Sequence, residues 1–335
     1  MLVVSIGCPA GIGPEVSVAA AARFRGAECV LVGDEATILS AADLVGVPRR
    51  RFTRFDAAAR APGKIAIVAA GPELARADRL PGRPSRRAGA AQLAWIDAAY
   101  DLVRAAPGRA LVTGPVSKAA IAGSGAPGAK AFLGHTEWLC ARDGAKTSVM
   151  CFASDELVTS LASTHVPLAR VPKVLTPERV RDATLGLVTL LGGLGRQKPR
   201  IAVCSLNPHA GESELLGDEE RRAIVPGIGA ARRRLHGRAR IEGSIGAETA
   251  YRKARGARYD GVVAMYHDQA TIPLKLVAFG AAVNVTIGLS VVRTSVDHGT
   301  GYDIAWKGVA DASGMSNALK LAQRLLVSKN RARVA

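Results

Sequence analysis

Five of the six histidines in this 335-residue chain sit in turns that follow or interrupt apolar runs. They stand in Gly134-His135-Thr136-Glu137, Ser163-Thr164-His165-Val166-Pro167, Asn207-Pro208-His209-Ala210-Gly211, Tyr266-His267-Asp268-Gln269 and Asp297-His298-Gly299-Thr300; His236 lies in an arginine-rich stretch. An imidazole at the end of a buried strand reaches a cleft while the backbone holds it rigidly, so the pattern suggests a shared metal or anion site. His165, His209 and His267 each follow a predicted strand, and three imidazoles that leave a fourth position open form a zinc-type set. Taken singly, each is better read as a turn cap; the three together reverse that preference. Asp268 is placed to orient His267 or to join its shell, and Asn207 to do similar work.

A second group of residues suits an anion. Lys275, Asn284 and Arg293 lie in the dense segment 261–308, where lysine and arginine bind phosphate or carboxylate and arginine does so bidentately. Arg293 is the least surface-like, because it sits within Val291-Val292-Arg293-Thr294-Ser295. His135-Thr136 and the stretch Thr113-Gly114-Pro115-Val116-Ser117-Lys118 add donors at two further turns. The turn Gly7-Cys8-Pro9-Ala10-Gly11-Ile12-Gly13-Pro14-Glu15 joins the first strand to a helix. Glycines there admit a close backbone approach and a helix N-terminus attracts anions, though an ordinary tight turn explains them equally well. It is not the G-x-G-x-x-G dinucleotide fingerprint.

The elements that must position these residues alternate. β-branched runs at 2–6, 29–32, 65–68, 110–113, 157–162, 201–206, 261–266 and 283–287 predict strands. Segments rich in Ala, Leu and Arg at 89–105, 177–194, 218–235 and 316–327 predict helices. Thr176-Pro177-Glu178 is a helix start, with Thr as N-cap and Pro in the first turn. Alternation of this kind implies βα units, an α/β class and a largely parallel sheet, which binds ligands beyond the carboxyl ends of its strands.

The totals narrow the function classes. Hydrophobic residues make up 48% of the chain, enough for a full core without disulfides. Five cysteines with no Cys-x-x-Cys pairing argue against a disulfide framework and for a reducing, cytoplasmic setting. The N-terminal apolar stretch is too short for a signal peptide, and no apolar run approaches the roughly 18 residues that span a bilayer. The net charge of +17 invites nucleic acid. Arginine, however, outnumbers lysine about three to one and is spread through Ala-rich segments, as on solvated helix faces. A basic chain without nucleic-acid motifs suits a small anionic substrate, with neither nucleic acid nor membrane as partner. Three histidines and a nearby carboxylate also fit a zinc hydrolase, but no H-E-x-x-H spacing is present.

Six phrases together resemble the 4-hydroxythreonine-4-phosphate dehydrogenase (PdxA) family of vitamin B6 biosynthesis. They are Pro9-Ala10-Gly11-Ile12-Gly13-Pro14-Glu15, Thr113-Gly114-Pro115-Val116, Gly134-His135-Thr136-Glu137, Asn207-Pro208-His209-Ala210-Gly211-Glu212, Tyr266-His267-Asp268-Gln269 and Arg293-Thr294-Ser295-Val296-Asp297-His298-Gly299-Thr300. The resemblance spans nearly the whole chain, in order. It implies one catalytic unit over 1–335, with two α/β/α subdomains around a largely parallel sheet as in isocitrate and isopropylmalate dehydrogenases. The approximate subdomains are 1–130 with 295–335, and 131–294.

The resemblance also implies roles. His165, His209 and His267 would hold one divalent metal, zinc before cobalt or magnesium. His135, Thr136, Lys275, Asn284 and Arg293 would bind substrate, and Asp268 and Lys275 are the candidates for proton transfer. Gly11, Gly13, Gly299 and Thr300 would contact NAD or NADP. The implied reaction is metal-assisted oxidation of a phosphorylated 3-hydroxy acid, 4-phosphooxy-L-threonine or a close analogue, followed by decarboxylation to 3-amino-2-oxopropyl phosphate. The implied assembly is a homodimer with a shared active site, to which the partner chain gives one metal histidine. Three positions depart from the family pattern. Cys8 stands where an acidic residue is usual and Ser117 where histidine is common. Glu248 stands in Gly243-Ser244-Ile245-Gly246-Ala247-Glu248-Thr249, which replaces a Gly-Pro-x-Pro-Ala-Asp-Thr phrase. These departures keep open a branch that acts on another phosphorylated hydroxy acid, such as a threonate or erythronate phosphate.

Overall fold

The computed structural model describes residues 1–58 and 62–334, with side chains to residue 330. The elements follow the predicted alternation: β1 (Leu2–Ser5), α1 (Gly13–Arg23), β2 (Cys29–Gly33), α2 (Glu35–Leu44), β3 (Phe52–Arg54), β4 (Ile65–Ala69), α3 (Arg86–Arg104), β5 (Ala110–Thr113), α4 (Lys118–Ala122), α5 (His135–Asp143), β6 (Val149–Ala153), β7 (Val158–Leu161), α6 (Val171–Val174), α7 (Pro177–Gly193), β8 (Arg200–Cys204), α8 (Val225–Leu235), β9 (Arg240–Ile245), α9 (Ala247–Arg255), β10 (Gly261–Ala264), α10 (His267–Ala278), β11 (Val283–Ile287), β12 (Val292–Val296) and α11 (Ser313–Val334). They form two compact units, Met1–Ala145 with Leu289–Ala335, and Lys146–Gly288. The boundaries fall at 145/146 and 288/289 rather than near 130/131 and 294/295. The helix that begins with His135 and the strand that carries Arg293 therefore both belong to the first unit.

In the first unit the strands run in the order β3-β4-β2-β1-β5-β12, and every neighbouring pair is parallel. All residues of β1, β2 and β5 are buried, as expected of parallel strands covered by helices. Helix α3 packs on β1, β2 and β5, and α11 on β5 and β12. Ser85 caps α3 by accepting from the Ala88 N–H at 3.0 Å, and the amphipathic α3 buries Trp95, Ile96 and Tyr100 against the sheet.

In the second unit the order is β11-β6-β7-β10-β8-β9. The pairs β11–β6 and β6–β7 are antiparallel, while β7–β10, β10–β8 and β8–β9 are parallel. Helix α7 begins where the sequence predicts: Thr176 Oγ1 accepts from the Arg179 N–H at 3.4 Å and Pro177 opens the first turn. It packs on one face of β6, β7 and β10, while α9 and α10 contribute Tyr251 and Leu274 to a core with Phe152, Leu161 and Val262.

Four strands lie outside the runs predicted from sequence. β3 has only three residues, and β9 (Arg-Ile-Glu-Gly-Ser-Ile) is a largely exposed edge strand. β12 hides Arg293, Thr294 and Ser295 in a buried position, and polar residues of that kind mask a strand in any hydrophobicity count. β6 is a short apolar run built on Met150, Cys151 and Phe152, without the β-branched signature. The predicted helix at 218–235 opens with a π-helical turn, Glu220–Ile224, before α8 proper.

The order β7-β10-β8 matters most for function. These three adjacent parallel strands end at Leu161, Ala264 and Cys204, and the turns that follow carry His165, His267 and His209.

Two glycines in candidate cofactor turns have opposite surroundings. A Cβ on Gly13 would stand 2.3 Å from the Ile6 carbonyl oxygen, whereas one on Gly299 meets no described atom within 4 Å. Gly13→Ala is expected to destabilise the protein by at least about 2 kcal/mol, and Gly299→Ala by less than about 0.5 kcal/mol. Urea denaturation at unchanged m-value measures both; equal losses would show that the packing at Ile6 is not what requires Gly13.

Candidate active site

Two of the three candidate metal histidines are neighbours. The rings of His165 and His267 lie 5.6 Å apart between centroids. A tetrahedral ion about 2.0–2.1 Å from a ring nitrogen of each would hold two imidazole centroids roughly 5 Å apart, so the pair fits one imidazole-bound ion. His267 Nδ1 lies 2.7 Å from Asp268 Oδ1. A carboxylate on Nδ1 fixes the proton there and turns Nε2 outward as a ligand, the usual arrangement behind a metal-bound imidazole. Hydrogen bonds between the turns hold the pair together: Ala162 N–H donates to Ala264 O at 2.8 Å, and Ser163 Oγ to Met265 O at 2.7 Å.

His209 does not join them within one chain. Among the described residues no three His, Cys, Asp or Glu side chains are grouped closely enough to hold a metal ion. His209 sits instead in a left-handed stretch, with φ of 51° at His209, 56° at Ala210, 42° at Glu212, 57° at Ser213 and 74° at Glu214. Non-glycine residues rarely accept such angles, and they gather at functional sites where the surroundings impose them.

Lys275 and Asp268 lie seven residues apart on α10, so they share one exposed face about two turns apart. Ile272 and Leu276 lie on that face and Phe279 follows the helix end, 60%, 81% and 85% exposed. Asn284 stands on β11, and its Oδ1 is buried with no hydrogen-bond partner among the described residues.

The first unit contains the other candidate anion ligands. Arg293 on β12 is 2% exposed and its Nη2 donates to Thr113 Oγ1 at 2.6 Å. Burial lowers its pKa to about 10, and the negative charge of Glu137 partly offsets that fall. The guanidinium thus stays charged at neutral pH in a place that costs a charge dearly. His135 and Thr136 open α5, whose N-terminal N–H groups favour an anion. Burial, with the positive charges of Arg293 and Lys118, holds His135 well below its ordinary pKa, so its ring is neutral. Its Nε2 is buried with no hydrogen-bond partner among the described residues. A neutral imidazole beside two cations suits an anionic group that hydrogen-bonds to that nitrogen.

The third group is the glycine turn. The lack of a side chain at Gly11 and Gly13 is used by the chain itself. A Cβ on Gly11 would stand 2.6 Å from the Thr300 carbonyl, and Ile12 N–H donates to that same oxygen at 2.9 Å. Residues 300–308 are stitched to the turn. Buried Glu15 accepts from the Trp306 and Gly308 N–H groups at 2.8 and 2.9 Å, Trp306 Nε1 donates to Pro9 O at 2.8 Å, and the Tyr302 hydroxyl lies 3.6 Å from Cys8 Sγ. This leaves Gly299, which is exposed, and Thr300 as the accessible part of the candidate dinucleotide site.

Several of these partners carry no signal in the sequence. Glu15 reads as an ordinary first-turn acid, and Ser163 as turn chemistry. Only folding shows that one clamps a loop nearly 300 residues away and the other joins two histidine turns. The departures from the family pattern separate as well. Cys8 is buried and touches Tyr302, whereas Glu248 is 76% exposed and pairs with Arg252 one turn along α9.

Residues 25–322 match the family described as "Pyridoxal phosphate biosynthetic protein PdxA". A 4-hydroxythreonine-4-phosphate dehydrogenase of Desulfosudis oleivorans is 38% identical over 325 residues, 95% of this chain and 94% of that protein. A D-threonate 4-phosphate dehydrogenase of Salmonella typhimurium is also 38% identical, over 333 residues that cover 96% of this chain and 98% of that protein. Among solved structures, a 4-hydroxythreonine-4-phosphate dehydrogenase from Klebsiella pneumoniae superposes with a TM-score of 0.82 at 34% identity, over 97% of this chain and 99% of that one.

The neutral state of His135 sets a pH dependence. Its folded pKa lies well below the ordinary 6.5, so below about pH 6.5 the unfolded chain takes up a proton that the folded chain refuses. Stability should therefore fall as pH drops from 7.5 to 5.5, and fall less steeply in His135→Gln. Denaturant unfolding at the two pH values measures the difference; parallel losses in both proteins would mean that His135 is protonated when folded.

Proposed function

We infer that this chain, which belongs to the PdxA family and is an oxidoreductase, oxidises a phosphorylated 3-hydroxy acid with NAD or NADP and a divalent metal ion. The substrate proposed is 4-phosphooxy-L-threonine, with decarboxylation of the oxidised product to 3-amino-2-oxopropyl phosphate as a step toward pyridoxal phosphate. The observation that carries the reading is the His165–His267 pair, 5.6 Å apart at the ends of adjacent strands with Asp268 on His267 Nδ1. The dehydrogenase names of the relatives favour it over a metal hydrolase.

The ion's contribution when bound is Lewis acidity, which eases loss of the hydroxyl proton, and imidazole ligands favour zinc or cobalt over magnesium. A bound nicotinamide would supply the hydride acceptor. The chain's own residues bind and orient. Arg293 offers a charged, forked donor held by Thr113, Lys118 adds charge, and the N-terminus of α5 adds Thr136 and backbone N–H groups. Together with neutral His135 they suit a phosphate. Asn284, with its buried Oδ1, is assigned to the substrate as well. Asp268, whose Oδ1 lies 2.7 Å from His267 Nδ1, and Lys275, on the same face of α10, are the candidates to take the hydroxyl proton. Gly299 and Thr300 are assigned to the dinucleotide, on a turn that Gly11 and Gly13 shape.

A second substrate has specific support. The relative named for D-threonate 4-phosphate is as similar as the one named for 4-hydroxythreonine 4-phosphate, and Cys8 stands, buried, at a position where the family usually has an acid. Both compounds share the carboxylate, the 3-hydroxyl and the 4-phosphate and differ at C2, an amine against a hydroxyl, so the groups above serve either.

We place the enzyme in the cytoplasm as a homodimer that shares its active site. Among the described residues no helix is long and apolar enough to cross a membrane, and all five cysteines are free. Two features support the dimer. One chain groups two candidate metal histidines rather than three. The face of α10 that carries Asp268 and Lys275 also exposes Ile272 and Leu276, with Phe279 just beyond.

Absorbance at 340 nm should rise with NAD or NADP, zinc or cobalt and 4-phosphooxy-L-threonine or D-threonate 4-phosphate, and a chelator should stop it; no rise with either substrate would rule out the reaction. Arg293→Lys keeps the charge but loses the fork. Losing a charged hydrogen bond, worth about 1.5–3 kcal/mol, should lower kcat/KM about tenfold to a hundredfold on phosphorylated substrates and much less on unphosphorylated ones. Because His165 and His267 pair within one chain, mixing His165→Ala with His209→Ala subunits should restore activity, as one of the two sites then keeps every ligand. Mixing His165→Ala with His267→Ala should not. The reverse pattern would show that the 5.6 Å pair does not share an ion.

A further inference from the structure

Glu220 is a carboxylate 7% exposed, on the π-helical turn ahead of α8. Its Oε1 accepts from the backbone N–H groups of Leu206 and Asn207, both at 2.9 Å, and its Oε2 accepts from Asn207 Nδ2 at 3.0 Å. A Cβ added to Gly211 would stand 2.9 Å from that same Oε2. One buried acid thus braces both ends of the turn that holds His209. A second side chain ties the base of this turn to the His267 turn. Gln269 Oε1 accepts from Met265 N–H at 2.7 Å, and Gln269 Nε2 donates to Ser205 O at 2.8 Å. Ser205 Oγ completes the link by donating to Asn207 O at 2.9 Å.

We propose that Glu220 and Gln269 are positioning residues: they fix the direction in which His209 leaves its left-handed turn and His267 leaves its own, each toward the ion it binds in the shared site, and so determine how tightly the metal is bound. The inference rests on His209 and His267 being metal ligands. Left-handed angles at His209, Ala210, Glu212, Ser213 and Glu214 persist only where the surroundings over-determine them. Glu220 supplies that constraint with three hydrogen bonds to two consecutive residues, and charge-assisted bonds of this kind are the stronger ones. The chain from Glu220 through Asn207 and Ser205 to Gln269 and Met265 runs across the ends of β8 and β10, so a shift of one turn is passed to the other.

The test uses near-isosteric variants, so that packing is kept. Glu220→Gln turns an amide toward the Asn207 amide, donor against donor. Gln269→Glu turns a carboxylate toward the Ser205 carbonyl, acceptor against acceptor. The affinity of each protein for Co²⁺ is read by competition with a chelator, together with the visible absorption of the bound ion. Hydrogen exchange is followed in the metal-free protein. Both variants should bind Co²⁺ about ten- to a hundredfold more weakly, the range typical of groups that orient metal ligands, and the absorption band should shift. Residues 205–216 should exchange faster, while α3 in the other unit keeps wild-type protection and reports an intact fold. If either variant does not fold, the other carries the same readouts. Wild-type Co²⁺ affinity in the folded variants, with His209→Ala and His267→Ala weakened, would overturn the positioning role alone. Wild-type affinity in His209→Ala and His267→Ala would overturn the metal reading, and the positioning role with it.

Discussion

Parallel pairing of β7, β10 and β8 is the constraint on which the second unit depends. Parallel strands in register bring their carboxyl ends to one side, and the residues that leave those ends enter a common space. His165, His267 and His209 are each a few residues past such an end, and strand order brings the first two together, while His209 is set apart in its left-handed turn. Pairing alone sets the neighbourhood to within several ångströms. The finer placement comes from side chains that bond to backbone across the strand ends, such as Ser163 to Met265 O.

The first unit relies on a different device, the burial of charge. Arg293 and Glu15 are both almost wholly enclosed, at 2% and 1% exposure. A buried charge is costly unless its hydrogen-bonding capacity is met. Glu15 meets it with two backbone N–H groups from a loop far along the chain, and in doing so closes residues 300–308 onto the glycine turn. Arg293 bonds Thr113 and faces Glu137. The result is a rigid donor, which costs a bound anion less ordering than a surface lysine does.

These two devices bear differently on specificity. The proposed metal pair and phosphate ligands would read features common to many phosphorylated hydroxy acids, whereas choice among them requires a group that meets the part of the molecule that varies. Buried Cys8 against the Tyr302 hydroxyl differs in size, charge and hydrogen bonding from an acid at that position. Burial also raises the thiol's pKa, which keeps it neutral. Exposed Glu248, paired with Arg252 on a helix surface, changes little of that kind.

Local pattern in the sequence carries the class of fold, most of the strands and the candidate residues, because β-branched runs, helix caps and turn histidines are properties of a few consecutive residues. Thr176 and Pro177 open α7 where they suggest, and the histidine turns follow their strands. What local pattern cannot carry is the partner of a residue. Strand β12 is hidden by Arg293, Thr294 and Ser295, whose polarity is tolerable only because the folded chain encloses and bonds them. Gly11 and Gly13 suggest a ligand cradle, yet the atoms they make room for are Thr300 O and Ile6 O of the same chain. Three histidines invite one shared ion, but the fold pairs His165 with His267 and sets His209 apart. In each case the deciding quantity is the distance between groups remote in sequence, and that distance exists only once the strands have paired and the core has closed.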